Sequence, residues 1–187
     1  MDRRTYLASL GTAGAAAVAG FAGVGTTTLD DPTVRHEGDE VHLLYRRDGD
    51  RIAAISVQYG PVAGGPPYRM RLSLWHAGET RVSDLGLLLW NRDATAPPPA
   101  IYLAAPAGNL PSVDFRRGED RARGFFVPDL GEGGSGTVTL EWYLRPYEDP
   151  PIGLWIETEA SLATGRLGRY ALEGTAAVTI EGPRSRA

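Results

Sequence analysis

Strict alternation of apolar and polar residues is the feature that most restricts how this chain can fold. The clearest run is 68–75, YRMRLSLW, in which every second residue is apolar, and similar runs occur at 41–47, 51–59, 81–90 and 137–144. A period of two is the side-chain repeat of a β-strand with one buried face. After residue 39 the sequence shows no 3.6-residue apolar stripe of helical length. The sequence therefore predicts an all-β domain.

The apolar phase of these runs predicts the core, and turn signals between the runs predict how the strands connect. The predicted core side chains are Tyr68, Met70, Leu72, Leu74, Leu85, Leu87, Leu89, Val138, Leu140, Trp142 and Leu144. Asp48-Gly49-Asp50 lies between two β-rich runs, which indicates a hairpin. Glycine and proline predict loops at 60–67 and 91–99.

The spacing of the turn signals predicts the architecture. About eight to ten short strands with turns roughly every 8–12 residues are typical of an antiparallel β-sandwich, immunoglobulin-like or jelly-roll. We assign it to residues 40–182, closed by short strands at 170–172 and 177–181 and followed by a frayed tail at 183–187.

The first 25 residues differ from the rest and are predicted to be a signal peptide with a helical apolar segment. Arg3 and Arg4 precede an uncharged run rich in Ala and Gly. This run has about 16 residues, whereas a spanning helix needs about 20 strongly apolar ones. Stable membrane insertion is therefore not expected after cleavage. Residues 26–39 are polar and are predicted to form a tether.

The start of the chain reads Asp-Arg-Arg-Thr-Tyr-Leu and resembles the twin-arginine (Tat) export signal, Ser/Thr-Arg-Arg-x-Phe-Leu-Lys. Arg3, Arg4, Tyr6 and Leu7 carry the resemblance. It implies that the Tat translocase exports the folded domain to the cell surface or the extracellular space. An ordinary Sec signal and a retained helical anchor are the alternatives.

Composition limits the classes of partner. The chain has no cysteine, which excludes disulfides and lipid attachment through a cysteine. Its net charge of −4 argues against nucleic acid or an anionic membrane as the main partner. All 19 basic residues are arginine. A lysine-free chain behind such a signal resembles a haloarchaeal surface protein, with an actinobacterial origin as the alternative.

Aromatic residues in the polar phase of their strands define a candidate binding face. Trp75 shares its phase with Arg69 and Arg71, Tyr143 shares its phase with Glu141, and Trp155 shares its phase with Glu157. If these strands adjoin, one sheet face carries aromatic rings among charges. Such a face suits a protein partner or a sugar ring. Arginine–aromatic packing on a solvated sheet gives the same pattern.

Two motifs that could carry chemistry have plainer interpretations. The glycines at 131, 133 and 136 match G-x-G-x-x-G, but a strand rather than a helix follows, so an inter-strand loop is predicted. Asp48 and Asp50 are too few oxygen donors for Ca²⁺. Neither a cofactor nor a metal site is predicted.

The carboxylates of Glu141, Glu157 and Glu159 could serve glycoside hydrolysis if they met in a cleft, or could be solvated strand charges. No G-x-S-x-G motif and no cysteine nucleophile is present. The leading hypothesis is therefore a non-enzymatic exported module for adhesion, assembly or structure. A glycan-binding module that uses Trp75, Tyr143 and Trp155 is the second hypothesis, and an exported hydrolase is the third.

Overall fold

The computed structural model describes residues 25–62, 65–103, 112–118, 121–130, 136–165 and 168–181. This part of the chain is all-β and contains no helix. It forms twelve strands, against about eight to ten predicted from the turn spacing. The strands are β1 (Thr26–Leu29), β2 (Thr33–Glu37), β3 (Glu40–Arg47), β4 (Asp50–Val62), β5 (Gly65–His76), β6 (Thr80–Asn91), β7 (Ala100–Leu103), β8 (Asp114–Arg117), β9 (Arg123–Val127), β10 (Val138–Arg145), β11 (Ile152–Thr164) and β12 (Gly168–Ile180).

The strands form two six-stranded sheets, which confirms the predicted β-sandwich. Sheet I has the order β1-β12-β11-β6-β9-β8, and sheet II has the order β2-β3-β4-β5-β10-β7. Neighbouring strands are antiparallel except for β1, which pairs parallel with β12. The predicted hairpin at residues 48–50 joins β3 and β4. Asp48 and Gly49 take φ values of 53° and 91° there, as a two-residue hairpin turn of type I′ requires.

The core lies between the sheets and contains the residues that the alternation predicted. Tyr68, Met70, Leu72 and Leu74 on β5 are fully buried, as are Leu85 and Leu89 on β6. Trp142 of sheet II meets Phe125 of sheet I edge to face, with ring centroids 5.3 Å apart. Burial of this apolar area is the main stabilising term in a domain without disulfides.

The segment 26–39 was predicted as a polar tether, but it contributes one edge strand to each sheet. β1 pairs with β12 in sheet I, and β2 pairs with β3 in sheet II. Every residue of β2 is exposed. An edge strand is held by main-chain hydrogen bonds on one side only and need not bury an apolar face. Its sequence can therefore lack the alternation by which interior strands are found.

The break between strands predicted at 60–67 is much shorter in the structure. The loop predicted at 60–67 is mostly strand, because β4 runs to Val62 and β5 begins at Gly65. The register of β4 with β3 ends at Gln58, so a proline beyond that point costs no hydrogen bond to β3.

The two closing strands predicted at 170–172 and 177–181 are one strand, β12. The interruption in the apolar pattern reflects close packing at Gly174. A Cβ there would lie 2.6 Å from Leu43 Cδ2 and 2.6 Å from the Tyr45 hydroxyl. Only glycine allows sheet II to approach β12 so closely.

Candidate functional site

Each sheet turns one face to solvent, and the predicted site residues are divided between these faces. The arginine face, on sheet II, is defined by Arg69, Arg71, Trp75, Tyr102, Glu141 and Tyr143. The tryptophan face, on sheet I, is defined by Leu88, Trp90, Phe126, Trp155, Glu157 and Glu159. Trp155 therefore lies on the opposite side of the sandwich from Trp75 and Tyr143. The prediction of one surface that includes all five candidate residues is wrong for Trp155, because β11 belongs to sheet I.

An ion-pair network occupies the centre of the arginine face. Arg69 Nη2 donates to both Glu141 carboxylate oxygens, at 2.7 and 2.8 Å. Arg71 donates from Nε at 2.8 Å and from Nη2 at 2.6 Å to Glu141 Oε1. Hydrogen bonds from Arg69 and Arg71 lower the pKa of Glu141. Of the three glutamates considered for hydrolysis, only Glu141 lies on this face. Its carboxylate is kept ionised and is hydrogen-bonded to both arginines.

Aromatic side chains flank this network. Tyr143 lies directly across from Arg69 on one side and from Tyr102 on the other, so the three form a row over β5, β10 and β7. Tyr102 is 52% exposed. At the other end of the face, the Arg51 guanidinium lies over the Trp75 ring, 4.5 Å from its centroid. One face of that indole is therefore already covered.

The tryptophan face is built around two indoles on neighbouring strands. Trp90 on β6 lies directly opposite Trp155 on β11, and both are half-buried on the outer side of sheet I. The next row of this face contains Leu88 beside Glu157. Arg92 reaches over Trp155 from the sheet end, with its guanidinium carbon 5.7 Å from the ring centroid.

Carboxylates crowd the same face. Glu157 and Glu159 share the outer side of β11, and Glu159 lies directly opposite Glu173 on β12. Arg116 Nη1 donates to Glu159 Oε1 at 2.6 Å, while the Arg116 guanidinium carbon lies 3.7 Å from the Phe126 centroid. Burial, followed by repulsion from Glu159 and Glu173, raises the pKa of Glu157.

The pKa of Glu159 is raised as well. Burial is the largest cause, and Arg116 opposes it. The side chain is 48% exposed and paired with Arg116, so we expect only a modest shift. The pKa values of Glu157 and Glu159 are thus raised, whereas that of Glu141 is lowered.

The carboxylate arrangement does not support the hydrolase hypothesis. Glu141 lies on sheet II, whereas Glu157 and Glu159 lie on the outer face of sheet I, so the three do not converge on one cleft. Glu141 also fails the requirement for an acid with a raised pKa, because its two arginines lower it.

A serine and a histidine meet on sheet II, but they lack the rest of a nucleophilic site. His42 Nδ1 is 2.8 Å from Ser56 Oγ, and its Nε2 is 3.8 Å from Glu37 Oε2. Ser56 lies in the middle of β4, which pairs with β3 and β5 on both sides. Main-chain N–H groups at this position are therefore committed to the sheet and cannot form an oxyanion hole.

The remaining predicted sites either lie outside the described residues or form ordinary turns. Arg3, Arg4, Tyr6 and Leu7 lie outside the described residues, as does most of the glycine-rich loop at 131–136. Asp48 and Asp50 belong to the β3–β4 hairpin. Over the ranges that the structure describes, no group of three or more His, Asp or Glu residues could hold a metal ion. In the same ranges no helix has the length and apolar character that a membrane span requires.

Sequence reasoning missed Trp90, Tyr102 and Arg116 as members of these faces. Trp90 follows Leu89 and is out of phase with the buried leucines of its strand, so its outward direction was readable from the sequence. Its position beside Trp155 was not, because that depends on β6 pairing with β11. Arg116 gave no local signal, because β8 is short and fully exposed.

The chain belongs to a family described as "Domain of unknown function (DUF8121)", which matches residues 26–182. No curated protein matches the sequence.

Several solved structures are similar to the chain in fold. A cohesin module from a Clostridium perfringens ATCC13124 family 33 glycoside hydrolase has a TM-score of 0.46 and 15% identity, over 70% of this chain and 96% of that one. The human F-spondin reeler domain has a TM-score of 0.39 and 11% identity, over 63% and 78%. The yeast delta-COP-I mu-homology domain has a TM-score of 0.39 and 8% identity, over 66% and 54%. At these values the likeness gives no information about a partner.

Proposed function

We propose that this chain is an exported, non-catalytic β-sandwich domain that acts at the cell surface, in adhesion, assembly or structure, by binding a protein partner. The row of Arg69, Tyr143 and Tyr102 on the arginine face carries the proposal. Tyrosine and arginine are the side chains that, with tryptophan, most often dominate binding energy at protein interfaces. Tyrosine and tryptophan present large contact areas and a hydrogen-bonding group at a low cost in conformational entropy.

The geometry of the row favours a surface that binds a protein partner over one that only faces solvent. Glu141 holds Arg69 in place by two hydrogen bonds, so this arginine is ordered before a partner arrives. Tyr102 lies on β7, at the edge of sheet II, with half of its surface open. An ordered arginine beside exposed tyrosine rings suits a preformed docking surface.

The test is a pull-down from the native envelope with matched variants. We expect Tyr102→Ala to lose a protein that the wild type captures. Phe115→Ala is the control, because Phe115 is a similarly exposed aromatic residue, at 63%, on the edge strand of the other sheet. Equal capture by all three forms, or no specific capture by the wild type, contradicts the proposal.

Export rests on Arg3, Arg4, Tyr6 and Leu7, which resemble the twin-arginine signal and would engage the Tat translocase. The family match begins at residue 26, directly after the predicted signal peptide, and this supports the division of the chain there. Replacing Arg3 and Arg4 together by lysine in the native host should leave the protein inside the cell. Normal appearance of that variant outside would contradict the export route.

A glycan ligand is the alternative, and the geometry weakens it. Of the three aromatic residues predicted for a sugar platform, Trp155 lies on the other sheet and Trp75 has one ring face covered by Arg51. We expect no change in tryptophan fluorescence on titration with a panel of oligosaccharides. A saturable change in fluorescence that is lost in Tyr143→Ala would contradict the protein-partner hypothesis and favour a glycan ligand.

A further inference from the structure

The tryptophan face places two indole rings close to a carboxylate. Trp90 and Trp155 lie side by side on neighbouring strands, and Glu157 follows Trp155 on the same outer side of β11. Aromatic rings next to a carboxylate are the surroundings that a guanidinium group prefers, because its flat faces stack on rings while its edge donates to oxygen.

The chain itself uses this chemistry at two positions on the face. Arg116 places its guanidinium over the Phe126 ring and donates to Glu159. Arg92 places its guanidinium near the Trp155 ring. Glu157 lies on β11 between the partners of these two arginines, Trp155 and Glu159, and makes neither a hydrogen bond nor an ion pair with any other described residue.

The charges around Glu157 favour an added cation. Glu159 and Glu173 both repel its carboxylate, and Arg116 is engaged with Glu159 rather than with Glu157. Burial and this repulsion raise the pKa of Glu157, and no arginine is among the groups that act on it. A cation contributed from outside would relieve both effects.

We propose that the tryptophan face docks a protein segment that carries an arginine, with its guanidinium on Glu157 and its aliphatic stem against Trp155 and Trp90. Charge complementarity selects this occupant, because the centre of the face is aromatic and acidic and has no cation of its own on Glu157. The stem of an arginine can cover apolar surface while its head pairs with a carboxylate. This second surface is independent of the arginine face, so the two proposals can fail separately.

The four tryptophans of the chain make the test selective. Trp90 and Trp155 report on the proposed surface, Trp75 reports on the opposite face, and buried Trp142 reports on the fold. The experiment follows the ¹⁵N-labelled indole resonances of the secreted chain during titration with N-acetyl-Gly-Arg-Gly-amide. We expect the resonances of Trp90 and Trp155 to shift and those of Trp75 and Trp142 to remain in place.

The matched peptide and protein variants separate charge from shape. Replacing the arginine of the peptide by citrulline, which is uncharged and nearly isosteric, should weaken binding at least about 10-fold, as should Glu157→Gln. Glu37→Gln removes the same charge from the other sheet, where Glu37 is 69% exposed, and should change affinity less than about 2-fold.

Each other outcome overturns the proposal. Equal binding of the citrulline peptide removes the role of the cation, and shifts confined to Trp75 move the site to the opposite face. Absence of binding to the wild type rejects the surface altogether. Trp155→Leu should also abolish the shift of Trp90, and the resonance of Trp142 shows whether this variant and Glu157→Gln keep their fold.

Discussion

The two outer faces of the sandwich contain similar kinds of side chain but arrange their charges in opposite ways. On the arginine face, Glu141 receives hydrogen bonds from two arginines, and its pKa is lowered. On the tryptophan face, Glu157 lies near two other glutamates, and its pKa is raised. The comparison shows that cross-strand neighbours, rather than the strand's own sequence, decide whether a surface acid is satisfied.

Strand register explains the difference. Glu141 lies directly opposite Arg71, with Arg69 on the same strand two residues away. Glu159 lies directly opposite Glu173, so like charges face each other across β11 and β12. Opposite charges in such positions stabilise a sheet and like charges destabilise it. Arg116 pairs with Glu159, but Glu157 lies opposite Leu88 and Thr175 and pairs with no arginine among the described residues. The carboxylate of the first face is therefore satisfied within the chain, whereas Glu157 on the second is not.

The largest change in stability is expected from a glycine substitution that tests how tightly the backbone packs on each face. Gly124 lies on the tryptophan face, where a Cβ would overlap the carbonyl oxygen of Leu87. Gly60 lies opposite Arg69 on the arginine face, with nothing within 4 Å of an added Cβ. Urea denaturation should show that Gly124→Ala lowers the free energy of unfolding by about 2 kcal/mol or more. Gly60→Ala should change it by less than about 1 kcal/mol, and equal effects would contradict this picture.

The next prediction removes one arginine from each face. Arg116→Ala should lower the free energy of unfolding by about 1 kcal/mol, because Glu159 loses its cation and Phe126 loses its stacked guanidinium. Arg69→Ala should cost less, because Arg71 keeps its two hydrogen bonds to Glu141. The measurement is again urea denaturation at pH 7. If Arg69→Ala lowers the free energy of unfolding more than Arg116→Ala does, this prediction is wrong and the arginine face depends more on a single arginine.

A smaller change in stability is expected at Glu141, whose carboxylate is paired with two arginines. The folded-state pKa of Glu141 lies below its ordinary value of 4.5, so its contribution to stability is present above pH 4.5 and is lost as the pH falls through the lowered pKa. Glu141→Gln should therefore lower the Tm at pH 7 by about 2 °C, since solvent screens the pair. The two proteins should converge in acid. A variant that melts at the wild-type temperature at pH 7 would remove the network as a source of stability.

The smallest expected effect is an increase in Tm, opposite in sign to that of Glu141→Gln. The folded-state pKa of Glu157 lies above its ordinary value of 4.5, so its ionisation costs stability as the pH rises through the interval between the two values. Glu157→Gln should raise the Tm at pH 7 by about 1 °C and leave it unchanged below pH 4, where the carboxyl group is protonated in both states. Thermal melts across this range check the sign. A lower Tm at pH 7 would mean that Glu157 is satisfied in the absence of a partner.

Local pattern predicted much of the fold and less of the site. The buried phase of β5 and the hairpin at Asp48 follow from two-residue periodicity and from turn chemistry, both of which act over a few neighbouring residues. The edge strands β1 and β2 were not predicted because they have little apolar pattern: Leu29 is the only apolar residue of β1, and every residue of β2 is exposed. The apolar pattern is interrupted between 172 and 177, where Gly174 lets sheet II pack closely on β12.

By itself, the sequence determined which side chains point inward and which point outward, because alternation along a strand settles that question one strand at a time. Trp142 had to be in the core, and Trp75, Tyr143 and Trp155 had to point away from it. Only the tertiary structure decided which outward residues share a surface. Both sheets have an outer face, and pairing between strands distant in sequence assigns each residue to one of them. That pairing separated Trp155 from Trp75 and brought it beside Trp90.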